Sequence, residues 1–323
     1  MRGYIGFILI ILTMGFLSAH AKEYPDRQVG ITVPFPAGGS TDILARHLGH
    51  GLSKLWNVPV TIENKAGVSG IIGTRDIVQS KNDGYKLLFI GTHHVINPSL
   101  YQSLPFDPVK EMTSIALIAT VPNVLIVNNE FPAKTVAELI KMAREKPGSI
   151  DYASSGTGGS NHLGGELFKM LANVDMNHIP YKGESPAIQD VMGGHVPVMF
   201  AALTTVIPAN QSGKIRPLAV AVKERVSQLP GVPTLDESGV KGYESMAWFG
   251  LYGPADLPET VVQKLRSDVM KVLSTPELQE ALEKNGAYAA SINQVDFPEF
   301  VNGEITKWGQ VMDQAKVPKL SLQ

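Results

Sequence analysis

Apolar residues recur along the chain in short blocks, and the period changes from block to block. Val29 to Phe35 is a short apolar run broken by prolines at its end, the pattern of a strand. Between residues 40 and 55, Ile43, Leu44, His47, Leu48, Leu52 and Leu55 share one helical stripe, opened by the capping residues Ser40, Thr41 and Asp42. Val58 to Ile62 predicts a second strand, Ile71 to Ser80 a helix, and Lys86 to Gly91 a third strand with the core run Leu87 to Ile90. The order β-α-β-α-β predicts a parallel sheet with helices on its faces.

The alternation continues. Val124 to Val127 reads as a strand, and Thr135-Val-Ala-Glu138 as a capping box for a helix through Leu139, Ile140 and Ala143. Ile150 to Ser154 is a strand, followed by a glycine-rich loop and a helix expected to bury Leu163, Leu167, Met170 and Leu171. Ser185-Pro186 has the order of a cap and first-turn proline, and Gly193-Gly194 stops that helix. Val196 to Ala201 and Ile215 to Val222 are further strands, and the last 70 or so residues read as helices, one of them restarted at Thr275-Pro276. Stretches 103–109, 228–242 and 253–258 read as connections, and the two α/β halves show no sequence repetition.

The first residues form an address. Arg2 supplies a positive end, residues 4–17 are almost all apolar, and Ser18-Ala-His-Ala21 has small residues where a signal peptidase cuts. A signal peptide over 1–21, cleaved after Ala21, is expected, with the protein exported to the periplasm. With 28 Lys and Arg against 30 Asp and Glu, no basic excess exists for a nucleic-acid backbone. The absence of Cys removes disulfides, Cys-ligated zinc and Cys nucleophiles together.

Candidate chemistry sits at two strand-to-helix turns, Pro34 to Asp42 and Ser154 to His162. Ligands of open α/β sheets bind beyond the carboxyl ends of strands. Glycines let amides approach a ligand, and a helix N-terminus makes an anion site without Lys or Arg. One hydrogen bond to a charged group contributes about 1.5–3 kcal/mol. A micromolar complex needs about 8 kcal/mol. Two opposed turns therefore suffice where one does not. Nucleotide motifs fail: no Lys follows Ala37-Gly38-Gly39-Ser40-Thr41, and Asn161 stands where a dinucleotide loop needs its third glycine. No G-x-S-x-G elbow or HExxH zinc motif occurs. His162 with Glu166, and His93 with His94, are too few for a metal site, so no cofactor or metal is expected. His93, after the strand 86–91, and Lys182, before the Ser185 helix, are further candidates at the cleft edge. Trp248 and Phe249 either line a pocket or pack between domains, and packing is favoured.

The long motifs Val33-Pro-Phe-Pro-Ala-Gly-Gly-Ser-Thr-Asp42, Glu63-Asn-Lys-Ala-Gly67, Asn97-Pro-Ser-Leu-Tyr101, Ser155-Gly-Thr-Gly-Gly-Ser160, His178-Ile-Pro-Tyr-Lys-Gly183 and Leu229-Pro-Gly-Val-Pro-Thr234 stand in one order. With Tyr24-Pro-Asp-Arg27, Asp83-Gly-Tyr85, Gly213-Lys-Ile-Arg216 and Trp248-Phe-Gly250 they extend over essentially the whole exported chain. In these the sequence resembles the Bug (TctC-like) family, the extracytoplasmic solute receptors of tripartite tricarboxylate transporters.

The resemblance implies a type II periplasmic-binding-protein fold, two α/β lobes around a ligand cleft with hinge crossings. Lobe 1 would take 22–122 plus 226–323, and lobe 2 would take 123–225. It implies a small carboxylate ligand held by the two turns, membrane transporter subunits as partners, and a monomeric receptor without enzymatic activity. The candidate ligand-binding residues are Phe35, Ala37, Gly38, Gly39, Ser40, Thr41 and Asp42; Thr92 and His93; Ser155, Gly156, Thr157, Gly158, Gly159, Ser160, Asn161 and His162; and Tyr181, Lys182 and Ala201. Many relatives carry an acid after the Met-Phe that matches Met199-Phe200, where this chain has Ala201-Ala202. That departure favours a ligand without an amino group, a di- or tricarboxylate or an aromatic acid. The competing readings are a ligand-sensing partner of a membrane kinase and a secreted hydrolase using Ser155.

Overall fold

The computed structural model describes residues 24–290, 296–314 and 319–322. The signal peptide expected over 1–21 lies outside the described residues.

The first lobe begins as the apolar pattern predicts. Strand β1 (Val29–Val33) is buried along nearly its whole length and lies between β2 (Val60–Asn64) and β3 (Lys86–Gly91), all parallel. β2 lies at the sheet edge, alternates between half-buried and exposed positions, and starts two residues later than its apolar run suggests. Helix α1 (Ser40–Trp56) buries Leu44, Leu48 and Leu52, and α2 (Ile71–Val78) buries Ile71 and Ile77. α3 (His93–Leu100) follows β3 after one residue and was not legible as a helix, because Pro98 interrupts its pattern.

The element that joins the lobes is β4 (Met112–Asn128), of which only Val124 to Val127 was expected. Its first part, up to Pro122, pairs antiparallel with β9 (Met246–Pro254), and its second part, from Asn123, with β7 (Val198–Ala202). The second lobe contains α4 (Val136–Glu145), β5 (Asp151–Ser154), α5 (Ser160–Ala172), β6 (Asn177–Pro180), α6 (Glu184–Met192), α7 (Leu203–Gln211) and β8 (Ile215–Val220). Lobe 1 orders its strands β2-β1-β3-β9-β4, and lobe 2 orders them β6-β5-β7-β4-β8. Each is a parallel triplet followed by one antiparallel strand and a fifth parallel to the triplet. The halves repeat in topology without repeating in sequence.

Helices α8 (Glu259–Leu273), α9 (Pro276–Lys284) and α10 (Phe297–Gln314) return to lobe 1, with a short β10 (Tyr288–Ala289) on β4. Thr275 caps α9 with Pro276 at its first turn, as its sequence predicts. Within the segment 222–245, the Gln228 amide reaches Glu283 O of α9 at 2.7 Å, while Leu235, Val240 and Tyr243 pack in the second core with Phe168 and Phe200. The expected division at 225/226 falls inside this segment. The chain crosses at Pro122–Asn123 and again at Ser245–Met246. There Asn123 N donates to Ser245 O (3.1 Å), Ser245 N to Ala221 O (2.8 Å) and Ala221 N to Asn123 O (2.8 Å).

One face differs from its expectation. α5 buries Asn161, Gly164, Gly165, Phe168 and Ala172. Leu163 and Leu167 are half-buried, and Met170 and Leu171 are exposed. The reason is close approach. A Cβ on Gly165 would stand 2.2 Å from the Tyr152 ring, and the Tyr243 hydroxyl donates to Gly164 O at 2.7 Å. Large side chains define an apolar stripe in sequence, but here two glycines set which face can dock.

Candidate functional site

The two glycine turns are conformational twins. Gly38 and Gly158 both adopt positive φ, +81° and +84°, which L side chains rarely enter. The next residues, Gly39 and Gly159, are the N-caps of α1 and α5 with nearly equal angles (φ −82°, ψ 167°; φ −78°, ψ 163°), and neither helix has a side-chain cap. Each positive-φ glycine donates its amide to the side chain four residues on: Gly38 N to Asp42 Oδ2 (3.0 Å), Gly158 N to His162 Nδ1 (3.2 Å). Asp42 and His162 therefore hold the turns in shape, and the first-turn amides of both helices are left for other acceptors.

These helix ends meet at one cavity between the lobes. It is lined by Phe35, Gly39, Ser40, Thr41, Gly91, Thr92 and His93 from lobe 1, with Ser155, Ser160, Asn161, Glu184 and Ala202 from lobe 2. Ala247 and Phe249 of β9 close it. Its volume is about 30 Å³, room for about one water. Thr92 Oγ1 and His93 Nε2 are buried here without a hydrogen-bond partner among the described residues. Burial, reinforced by the charge His162 would carry, lowers His93 to about 4, so its ring is neutral at pH 7. Its ring lies 4.8 Å from that of Phe35. No Lys or Arg is among the lining residues.

The charged group that does enter is Glu184, at the start of α6. Its Oε2 accepts from Ser40 N (3.2 Å) and Ser40 Oγ (2.6 Å), and its Oε1 accepts from Ala202 N (2.6 Å) and Asn161 Nδ2 (3.4 Å). A carboxylate therefore reaches the Ala201-Ala202 corner from another element, although the sequence there is not acidic. The expectation of a corner without an acid does not describe the folded site.

The other candidates divide by position. Gly39, Ser40, Thr41, Phe35, Thr92, His93, Ser155, Ser160 and Asn161 come together at the cavity. Ala37 and Gly38 are exposed, and Lys182 is exposed as a surface charge. Asp42 turns away to Arg46 (2.9 Å) and Asn64 (3.0 Å). Burial would raise Asp42, but bonds from Arg46, Gly38 and Asn64 hold it below the usual carboxylate range. Tyr181 donates to Asp190 at 2.6 Å, and Thr157 uses its carbonyl to accept from Ser69 at 3.2 Å. Gly156 donates to Ser154 Oγ, and Ala201 is fully buried beside the lining residue Ala202. Trp248 packs on Phe297 and Phe300 as expected, whereas its neighbour Phe249 lines the cavity.

Sequence reasoning missed Glu184, Gly91, Ala202 and Ala247, and favoured packing for Phe249 over the pocket wall it also offered. Glu184 had a visible signal, an acid directly after the Tyr-Lys-Gly turn. Ser185-Pro186 drew the helix start past it, whereas Gly183 is the N-cap.

Two serine–partner contacts bear on chemistry. Ser155 Oγ donates to Asn161 Oδ1, an amide that does not take up a proton. Ser154 Oγ meets His178 Nε2 at 2.6 Å, but Ser154 is fully buried, and neither residue lines the cavity. His178 lies 4.1 Å, ring to ring, from His162.

The profile of the tripartite tricarboxylate transporter family receptor, TctC, matches residues 44–317. A Rhodopseudomonas palustris protein solved with adipate is 34% identical, with a TM-score of 0.88 over 92% of this chain and 100% of that one. The periplasmic binding protein BugD is 33% identical, with a TM-score of 0.86 over 92% and 100%. MatC from Rhodopseudomonas palustris, with bound malate, is 29% identical, with a TM-score of 0.83 over 89% and 99%.

Proposed function

The chain belongs to the receptor family of tripartite tricarboxylate transporters, and we propose that it captures a small carboxylate by cleft closure and delivers it to the membrane subunits of such a transporter. One observation carries this reading. Two helix N-termini whose own N-cap residues are glycines, built on twin glycine turns, face a single cavity between the lobes. Donors of that kind hold an anion without a cationic side chain. The solved relatives with adipate and malate support a di- or tricarboxylate. An aromatic acid is the further candidate, with Phe35 and Phe249 as its apolar walls.

Cleft closure follows from size. The closed cavity of about 30 Å³ has room for about one water, and a six-carbon diacid needs several times that space. Entry requires the lobes to part. The hydrogen-bonded knot of Asn123, Ala221 and Ser245 at the crossings is the hinge about which they would turn. The moving bodies divide at Pro122–Asn123 and Ser245–Met246. The receptor acts as a periplasmic monomer without a cofactor, exported by the segment cleaved after Ala21. The Ser155–Asn161 contact supports binding over hydrolysis, since a nucleophilic serine needs a base.

A thermal-shift screen of carboxylates, followed by isothermal titration of the hits, tests this. Ligand that binds only the folded state raises Tm by mass action. A panel of mono-, di- and tricarboxylates with no stabilising member would overturn the reading, as would a bound solute seated away from the two turns.

A further inference from the structure

Glu184 is 6% exposed, and four neutral donors converge on its two oxygens: the Ser40 amide and hydroxyl, the Ala202 amide and the Asn161 side chain. Four donors and no obligatory acceptor match the hydrogen-bonding capacity of an ionised carboxylate. Ser40 opens α1 directly after the Gly38-Gly39 turn, so this is the seat that the turn offers to an anion. The contact also bridges the cleft, because Ser40 belongs to lobe 1 while Glu184, Ala202 and Asn161 belong to lobe 2.

We infer that Glu184 is a specificity-determining residue, an internal carboxylate that fills the α1 anion seat and must be displaced by any solute that uses it. The inference rests on the reading of the site as a carboxylate receptor. Exchanging one carboxylate for another at the same donors yields little net affinity. A solute therefore binds well only if its remaining contacts, at the α5 turn and at the unpartnered Thr92 Oγ1 and His93 Nε2, outweigh the exchange. The same bond latches the lobes together before any solute arrives.

The test uses the exported chain as wild type, Glu184→Gln and Glu184→Ala. The Gln variant keeps the size, whereas the Ala variant removes the group. Two measurements are made: amide hydrogen exchange of Ser40 and Ala202 without solute, and titration with adipate and with malate. Both variants should exchange faster at those amides. Freeing the worth of one charge-assisted bond should tighten adipate or malate by about tenfold or more. Unchanged exchange in both variants overturns the inference, and so does unchanged or weakened affinity in both. Faster exchange with no carboxylate bound by any of the three proteins supports the Glu184 bridge and overturns the carboxylate reading instead.

Discussion

Gly159→Ala separates lobe closure from the integrity of the lobe that carries it. Gly159 sits at φ −78°, ψ 163°, where alanine is comfortable, so the substitution strains no backbone. Its Cβ would stand 2.7 Å from both Cε1 and Nε2 of His93 and 2.8 Å from Ser155 Oγ. Ser155, in the same lobe, can turn its hydroxyl away at the expense of its bond to Asn161. His93 cannot easily retreat, because it is buried in α3 against Phe35. Restoring ordinary contact near 3.4 Å requires about 0.7 Å of separation between the lobes. Overpacking of this kind costs about 1–3 kcal/mol. The part against His93 falls only on the closed state, so solute affinity should drop roughly 5- to 150-fold. Titration with adipate reads the loss, and Tm without solute should fall by no more than about 4 °C, because an open cleft removes the His93 contact and leaves only the Ser155 adjustment. Wild-type affinity in a folded Gly159→Ala protein would refute the closure of the α5 turn against His93 across the cleft. Gly158→Ala is the contrast: φ +84° makes it unfavourable in the fold of lobe 2 itself, whether or not the cleft is closed against Ile96 of α3 (2.9 Å from the Cβ).

Thr92→Val removes a buried hydroxyl that has no partner among the described residues; it should leave Tm unchanged or raised while weakening carboxylate binding about tenfold, and a lowered Tm with unchanged affinity would contradict this. Asp42→Asn should lose about 1–3 kcal/mol of stability in urea titration, because it loosens Arg46 and the Gly38 amide together; full stability with lost binding would instead put Asp42 on the solute. Lys182→Ala should change affinity less than twofold at physiological salt, since its exposed charge is screened, and a larger loss would place it at the cleft. Burial holds His93, His94 and His162 near 4, below their ordinary 6.5, so the unfolded chain binds more protons between those values. Stability should therefore be full above about pH 6.5 and fall as pH drops toward 4, by up to about 1.4 kcal/mol per pH unit per histidine. Denaturant titrations at pH 7 and pH 5 check this, and equal midpoints would refute it.

Local pattern carried the elements whose apolar period stands alone: β1, α1, β3, α4 and the Thr275-capped α9 follow from spacing, caps and breakers. The two glycine turns were also legible, because positive φ and close approach restrict composition residue by residue. What the chain does not display in one dimension is contact between remote segments. β4 and β9 are the pair that join the lobes, yet most of β4 and all of β9 went unread, because pairing partners more than a hundred residues apart leave no mark on either strand's own period. The buried face of α5 went to Gly164 and Gly165 rather than to its larger side chains, since two tyrosines from other elements had to fit there. Glu184 is the sharpest instance. In the sequence it is an acid opening a helix, and only when α6 is folded against α1 do Ser40, Asn161 and Ala202 surround its carboxylate. Hydrogen-bond donors from three elements become one seat through packing, and that geometry exists only in three dimensions.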